Sequence, residues 1–253
     1  MKISIVTISF NQCQYLRTCI DSILDQTDCE VEYIVVDPGS TDGSRELIES
    51  YGDRLIKVFD RDDGPADGLN KGFARATGEI YGFINSDDYL LPGALKQVTT
   101  FFDTHDQNTF VTGHGFTEDA SGKRTIVDPS KLTAQAMLHR SAVMFQQTTF
   151  FPARLFYAVN CFNNQNRTCW DYELFLNFLQ LGAEHYVLES DLAVFRLYQG
   201  SISGSGRLED RYFQELDQLF LKHIGRPRDI RDKFFTYYLR IKREISRRLF
   251  NAN

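Results

Sequence analysis

Apolar runs and amphipathic segments alternate over the first 110 residues. Ile3–Ile8 reads as a buried strand, and Tyr15–Gln26 as a helix with Leu16, Cys19, Ile20, Ile23 and Leu24 on one face. Val31–Val36 is a second buried strand ending at Asp37. The turn-forming run Pro38-Gly39-Ser40-Thr41-Asp42-Gly43 follows, and Asp42 or Ser44 is placed to cap a helix through Tyr51. Leu55–Phe59, a helix over Ala66–Ala76 and a strand over Ile80–Ile84 come next. Asn85-Ser86-Asp87-Asp88 closes that strand, and Pro92 opens a helix through Phe102. Strands alternating with helices predict an α/β fold with a mostly parallel, Rossmann-like sheet flanked by helices. Ligands in such folds bind at the carboxyl ends of the strands.

The second half is less regular. Phe110–Thr112 and Thr125–Val127 predict strands around a turn, and Thr148–Phe151 is a short apolar stretch. Asp171–Leu181 predicts a helix with Leu174, Phe175, Phe178 and Leu179 on one face. His185–Leu188 and Leu192–Phe195 predict two further strands. Leu208–His223 and Ile230–Leu249 predict helices split by Gly225 and Pro227. The expected organisation is a first half over 1–110, a second half of the same domain over 111–225, and a basic amphipathic C-terminal helix over 226–253.

Composition narrows the function. Of 253 residues, 42% are hydrophobic and 25% charged, as in ordinary globular proteins. Residues 226–253 hold nine Lys/Arg against three Asp/Glu, a charge of +6, and the remaining 19 basic and 31 acidic residues give −12. An acidic body argues against a nucleic-acid ligand. No uncharged apolar run is long enough for a transmembrane helix, and the N-terminus reads as a strand rather than a signal peptide. Five cysteines without CxxC spacing point to reduced thiols in the cytoplasm. The sequon Asn166-Arg167-Thr168 has no meaning without secretion.

Three polar clusters follow strands: Thr7-Ile8-Ser9-Phe10-Asn11, Asp37-Pro38-Gly39-Ser40 and Ser86-Asp87-Asp88. Adjacent carboxylates repel one another unless a cation or donor is nearby. Mg²⁺ and Mn²⁺ take oxygen ligands, often one or two carboxylates plus substrate phosphates. The plainer alternative is that Asp87 and Asp88 cap the helix that follows.

Ser4–Asn11, Tyr33–Asp37 with Gly39–Ser44, Ala66–Gly72, and Ile84–Asp88 with Pro92–Leu95 occur here in the order of a known family. Over about residues 2–205 the chain resembles the family 2 glycosyltransferases with the GT-A fold. The resemblance implies inverting, metal-assisted transfer (Mn²⁺ or Mg²⁺) from a nucleoside diphosphate sugar, with a UDP-sugar favoured. The acceptor would be a glycan or lipid-linked hydroxyl in polysaccharide or glycoconjugate assembly. By the same resemblance, Thr7, Ser9 and Asn11 would line the nucleotide pocket, and Asp37 would accept from the base imide. Asp67, Asn70 and Lys71 would lie along ribose and diphosphate. Ser86 and Asp87 would face ribose or donor sugar, and Asp88 would bind the metal. Asp171 would be the catalytic base, with Gln147–Phe151 on the acceptor side.

Two positions depart from the family pattern. Pro38 stands where a second aspartate is frequent, and Tyr198 stands where a histidine is common. His114 and His185 read as structural. Two rival readings are a degenerate sugar-nucleotide binding module and a sugar-phosphate nucleotidyltransferase. The second would usually carry a Gly-rich loop after the first strand, and Thr7–Gln12 contains no Gly. The absence of GxGxxG there disfavours a dehydrogenase. In the tail, Phe234, Tyr238, Ile241, Ile245 and Leu249 recur at helical spacing among Arg231, Lys233, Arg240, Lys242, Arg243, Arg247 and Arg248. Such a helix suits an anionic membrane surface, or else packs on the domain or pairs with a second subunit.

Overall fold

The computed structural model describes residues 1–106, 108–198, 200 and 206–250, the last five without side chains. The expectations for Arg247, Arg248 and Leu249 therefore concern side chains outside those described. The first half runs β1 (Lys2–Ile8), α1 (Cys13–Leu24), β2 (Glu30–Val36), α2 (Ser44–Ser50), β3 (Ile56–Val58), α3 (Pro65–Phe73), β4 (Ile80–Asn85), β5 (Tyr89–Leu90) and α4 (Ala94–Phe102). The second half runs β6 (Thr109–Asp119), β7 (Arg124–Val127), α5 (Ala134–Leu138), β8 (Thr149–Pro152), α6 (Ala153–Ala158), α7 (Trp170–Gln180), β9 (Glu184–Leu197), α8 (Glu209–Ile224) and α9 (Ile230–Phe250).

One sheet joins both halves in the order β3-β2-β1-β4-β8-β6-β9-β5, with β7 on β6. Most of its pairing is parallel: β3, β2, β1 and β4 form a parallel block, and β6 runs parallel to β9. Strand β8 joins these blocks antiparallel to both. Side chains alternate between two buried faces. Val6, Ile34, Val36, Tyr81 and Phe83 enter a core beneath α3, α5, α7 and α8. Ile3, Ile5, Tyr33, Val35, Ile80 and Ile84 enter another beneath α1, α2 and α4. Burial on both faces explains why these strands read as continuous apolar runs.

Several boundaries differ from expectation. The helix expected from Pro92 starts at Ala94 with Gly93 at its cap position, and α2 is preceded by Gly43. Asp42 still accepts from the Ser44 N–H at 3.1 Å. The two strands expected over 185–195 are one strand, β9. It runs through Glu189-Ser190-Asp191 because a register irregularity against β6 at Gly113–Gly115 absorbs the extra residues. Short helices α5 and α6 and the two-residue β5 give too little periodicity to be read from sequence.

Helix α3 lies close on β1 and β2 because of two glycines one turn apart. A Cβ at Gly72 would come within 2.4 Å of Val6 Cγ1 and 3.0 Å of Val36 Cγ2. At Gly68 it would meet Asp62 Oδ2 at 2.7 Å. Gly72 faces strand atoms that cannot swing away. We expect Gly72→Ala to cost about 1–3 kcal/mol through overpacking. In a domain of this size that lowers Tm by about 2–4 °C per kcal/mol, read by calorimetry. An unchanged Tm would show that α3 shifts freely on the sheet.

Candidate active site

The carboxyl ends of β1, β2 and β4 bring the three polar clusters together. β1 and β2 pair up to Ile8 and Val36, so Ser9 and Asp37 emerge side by side. Both are buried, and Ser9 Oγ and Asp37 Oδ2 have no hydrogen-bond partner. Unpartnered buried polar atoms are uncommon and mark a place where a ligand can complete the bonding. The other Asp37 oxygen accepts from the Gly39 and Ser40 N–H groups at 2.9 and 2.8 Å. Arg45, the second residue of α2, donates to it at 3.3 Å and covers the Phe59 ring. Pro38 therefore leaves the Asp37 turn intact. The Phe10 side chain between Ser9 and Asn11 is 60% exposed.

Thr7 is a correction. It is fully buried and turned away from the cleft, with its hydroxyl on Tyr33 Oη at 3.1 Å and beside Cys19 Sγ. The period-2 alternation of β1 sends it into the α1-side core. Asn11 holds the next loop: its N–H donates to Ser40 Oγ at 2.8 Å and its Oδ1 accepts from the Thr41 N–H at 2.9 Å. Its positive φ of 53° is a conformation asparagine tolerates.

On α3, Asp67 accepts from Lys71 Nζ at 2.7 Å, from the Asp63 N–H at 3.0 Å and from Asn164 Nδ2 at 3.0 Å. The lysine bond holds the Asp67 carboxyl below its ordinary range. Asn70 also departs from expectation. Its amide donates to Phe162 O and Asn164 Oδ1 and accepts from the Phe162 N–H, all within 3.0 Å. It is spent on fastening the segment before α7 to α3.

The end of β4 is the most buried part. Ser86 is buried and Asp88 wholly so. Asp88 Oδ2 accepts from Gln147 Nε2 at 3.0 Å and Asn85 Nδ2 at 3.4 Å, and Oδ1 accepts from the Arg196 N–H at 3.0 Å. Burial, then the neighbouring Asp87 charge, pushes its carboxyl well above the ordinary range. Burial also raises Asp87, which keeps the Tyr198 hydroxyl on Oδ2 at 2.9 Å. Tyr198 also bonds the Gln12 amide and lies 4.8 Å from the Tyr15 ring. Arg196 donates to Asp87 O at 3.2 Å and lies over the Tyr89 ring.

Sequence reading missed Gln12, Arg45, Arg196 and the exposed Phe10. Arg196 and Gln12 act across more than one hundred positions, so no local pattern announces them. Gln147 was expected on the acceptor side, and its amide instead holds Asp88.

Asp171 is the second residue of α7. Cys169 takes the cap position without a side-chain bond, so Asp171 is not the cap. Trp170 lies 5.5 Å from the Phe83 ring, which brings the start of α7 under the end of β4. Asp171 keeps some solvent access, yet burial raises its carboxyl to about 6 against one bond from the Tyr172 N–H. The two histidines do not join this edge. His185 Nδ1 accepts from the Leu132 N–H at 2.9 Å, so its Nε2 carries the proton toward Thr112, and burial lowers its pKa to about 3. His114 lies 3.6 Å from Asp128 and from Glu189.

Among the described residues, no three or more His, Cys, Asp or Glu side chains gather as a metal site. The Asp87–Asp88 pair offers only oxygen donors and two mutually repelling carboxyls. That donor set fits a hard cation completed by ligand phosphate oxygens, and not a closed protein cage.

The chain covers 34% of the length of an uncharacterised glycosyltransferase of Nostoc sp., at 38% identity over 110 residues. It covers 76% of an uncharacterised glycosyltransferase of Rickettsia typhi, at 24% identity over 243 residues and 93% of this chain. In fold it matches S. aureus TarS 1–349 in complex with UDP-GlcNAc, with a TM-score of 0.72 and 19% identity over 95% of this chain and 70% of that one. It also matches the Pyrobaculum calidifontis mannosyltransferase PcManGT in complex with GDP-Man and Mn²⁺, with a TM-score of 0.65 and 16% identity over 94% of this chain and 69% of that one. The architecture is that of the GT-A glycosyltransferases. The model of glycosyl transferase family 2 matches residues 4–158, more than half of the sequence, and the chain belongs to that family.

Proposed function

We propose that the protein is an inverting glycosyltransferase that takes a sugar from a nucleoside diphosphate sugar, favouring a UDP-sugar, to a glycan or lipid-linked hydroxyl in the cytoplasm. The observation that carries this reading is the adjoining pair Asp87 and Asp88 after β4, both carboxyls raised by burial, with Asp171 next to the Trp170 that packs on Phe83 of β4. Residues 1–110 would hold the donor and 111–225 the acceptor. The unpartnered Ser9 Oγ and Asp37 Oδ2 would take the base, with Phe10 against its face. Asp67 and Lys71 would border ribose and diphosphate, with Asn70 acting through the segment it fastens. Ser86 and Asp87 would meet ribose or donor sugar. Asp88, with Asp87, would hold Mn²⁺ or Mg²⁺, which when bound supplies Lewis-acid stabilisation of the leaving diphosphate.

Asp171 would take the proton of the acceptor hydroxyl as that oxygen bonds the anomeric carbon. The electron pair of the breaking C–O bond leaves with the nucleoside diphosphate. One displacement from the opposite face inverts the carbon. A carboxyl near 6 is ionised at neutral pH and basic enough to accept that proton. A degenerate binding module would have no use for such a group.

Asp171→Asn should retain UDP binding by calorimetry and lose at least about 10²-fold in transfer. Wild-type kcat/KM should fall as pH drops through about 6, where the group protonates. The native pKa lies above the unfolded value, so the native state binds the extra proton. The contribution of this group to stability is then fully present below the unfolded value of 3.8 and is lost as pH rises through about 6. Asp171→Asn should accordingly keep or raise Tm at pH 8. Near-normal transfer in this variant would remove Asp171 from the chemistry.

Asp88→Asn should abolish the Mn²⁺-dependent part of UDP affinity while circular dichroism stays unchanged. Equal UDP affinity with and without Mn²⁺ in both proteins would overturn the cation assignment.

A further inference from the structure

We propose that the outward face of α9 docks on an anionic lipid bilayer. The inference rests on the geometry of the tail and goes beyond the transferase reading. Helix α9 is fastened to the body along one side. Arg226 forks onto Asp232 at 2.6 and 2.9 Å. The Phe235 ring meets His139 edge-on at 4.7 Å. Arg240 donates to Arg140 O at 3.0 Å, and Arg243 donates to Ser141 O. A turn of about 100° per residue puts Asp232, Thr236, Leu239 and Arg243 on that inward side.

The same geometry gathers Ile230, Phe234, Tyr237, Tyr238, Ile241 and Ile245 within an arc of about 120° pointing the other way. All six are exposed, Phe234 and Tyr237 by 69% and 67%. A soluble helix usually turns its apolar arc inward. Here the body holds the opposite side and leaves the apolar arc uncovered. Exposed Lys242 flanks the arc on one edge with Arg231, which pairs with Asp229 at 2.7 Å, and exposed Lys233 flanks the other edge, where Glu244 also lies. An apolar strip with aromatic rings, bordered by cations, is the pattern of a helix lying in a membrane interface.

Charge selects the occupant. The segment carries +6 on a body of −12, so an anionic surface attracts the tail and repels the body. That difference would orient the molecule with α9 downward. A second copy docked through the same face would bring two +6 segments together. No helix among the described residues is long and apolar enough to cross a membrane, so the contact would be peripheral. A lipid-linked acceptor would then be met at the surface that holds it.

The full chain should cosediment with phosphatidylcholine vesicles containing phosphatidylglycerol and not with phosphatidylcholine alone. Phe234→Ser with Ile241→Ser, and separately Lys233→Glu with Lys242→Glu, should each weaken that binding at least about ten-fold. All four residues are exposed, so Tm and UDP affinity should match wild type. Failure of every protein to bind UDP would count against the donor reading alone. No binding to anionic vesicles by the wild type, or undiminished binding by either double variant, would overturn the membrane proposal. A wild-type dimer that the apolar double variant splits, without vesicle binding, would give the face to a second copy instead.

Discussion

The carboxylate of Asp88 sits where three distant parts of the chain meet. It follows β4, accepts from the side chain of Gln147, fifty-nine positions away, and from the backbone of Arg196, one hundred and eight away. A carboxylate with no solvent access must have such donors, because an unpaired buried charge costs several kcal/mol. The sheet order supplies them. β8 pairs with β4 and begins two residues after Gln147, and β9 pairs with β5, the strand that follows Asp88. The second half of the chain is thus built to finish a site that the first half opens.

That arrangement leaves a deficit of charge compensation. Asp87 and Asp88 adjoin, and the donors around Asp88 are two amides and a backbone N–H. Arg196 reaches Asp87 through its carbonyl, while its guanidinium is also drawn toward Glu118 at 3.8 Å. Buried carboxyls raised in this way are unstable as charges and make sense where a ligand arrives to share them. Ser9 Oγ and Asp37 Oδ2 tell the same story in hydrogen bonds, since each gives up one that the fold does not return.

The first half was legible because its signals are local. Strands buried on both faces read as apolar runs, α1 shows its stripe, and the polar residues after each run fall at the edge where ligands bind. Thr7 shows the limit of that logic: a polar residue near a strand end is not at the cleft when strand alternation turns it inward. Asn70 shows another. Its place on α3 was readable, but the segment it fastens lies ninety-two positions away. In the second half, β9 looked like two strands because its irregularity against β6 breaks the apolar run without ending the pairing. The amphipathic tail was visible, but only the fold decides which side of it the body holds.

Tyr198 bears on how the site would handle charge. Its hydroxyl bridges Asp87 and the Gln12 amide, and burial raises its pKa further above the ordinary phenol range. It therefore stays neutral across physiological pH. A histidine in this place could become a cation between the carboxylates and a diphosphate. A phenol can donate one hydrogen bond and offsets no charge. Under the proposed function, the repulsion between Asp87, Asp88 and an incoming diphosphate would then fall on Arg196 and on the proposed cation. By this argument Tyr198 makes the proposed divalent ion more necessary here than it would be with histidine.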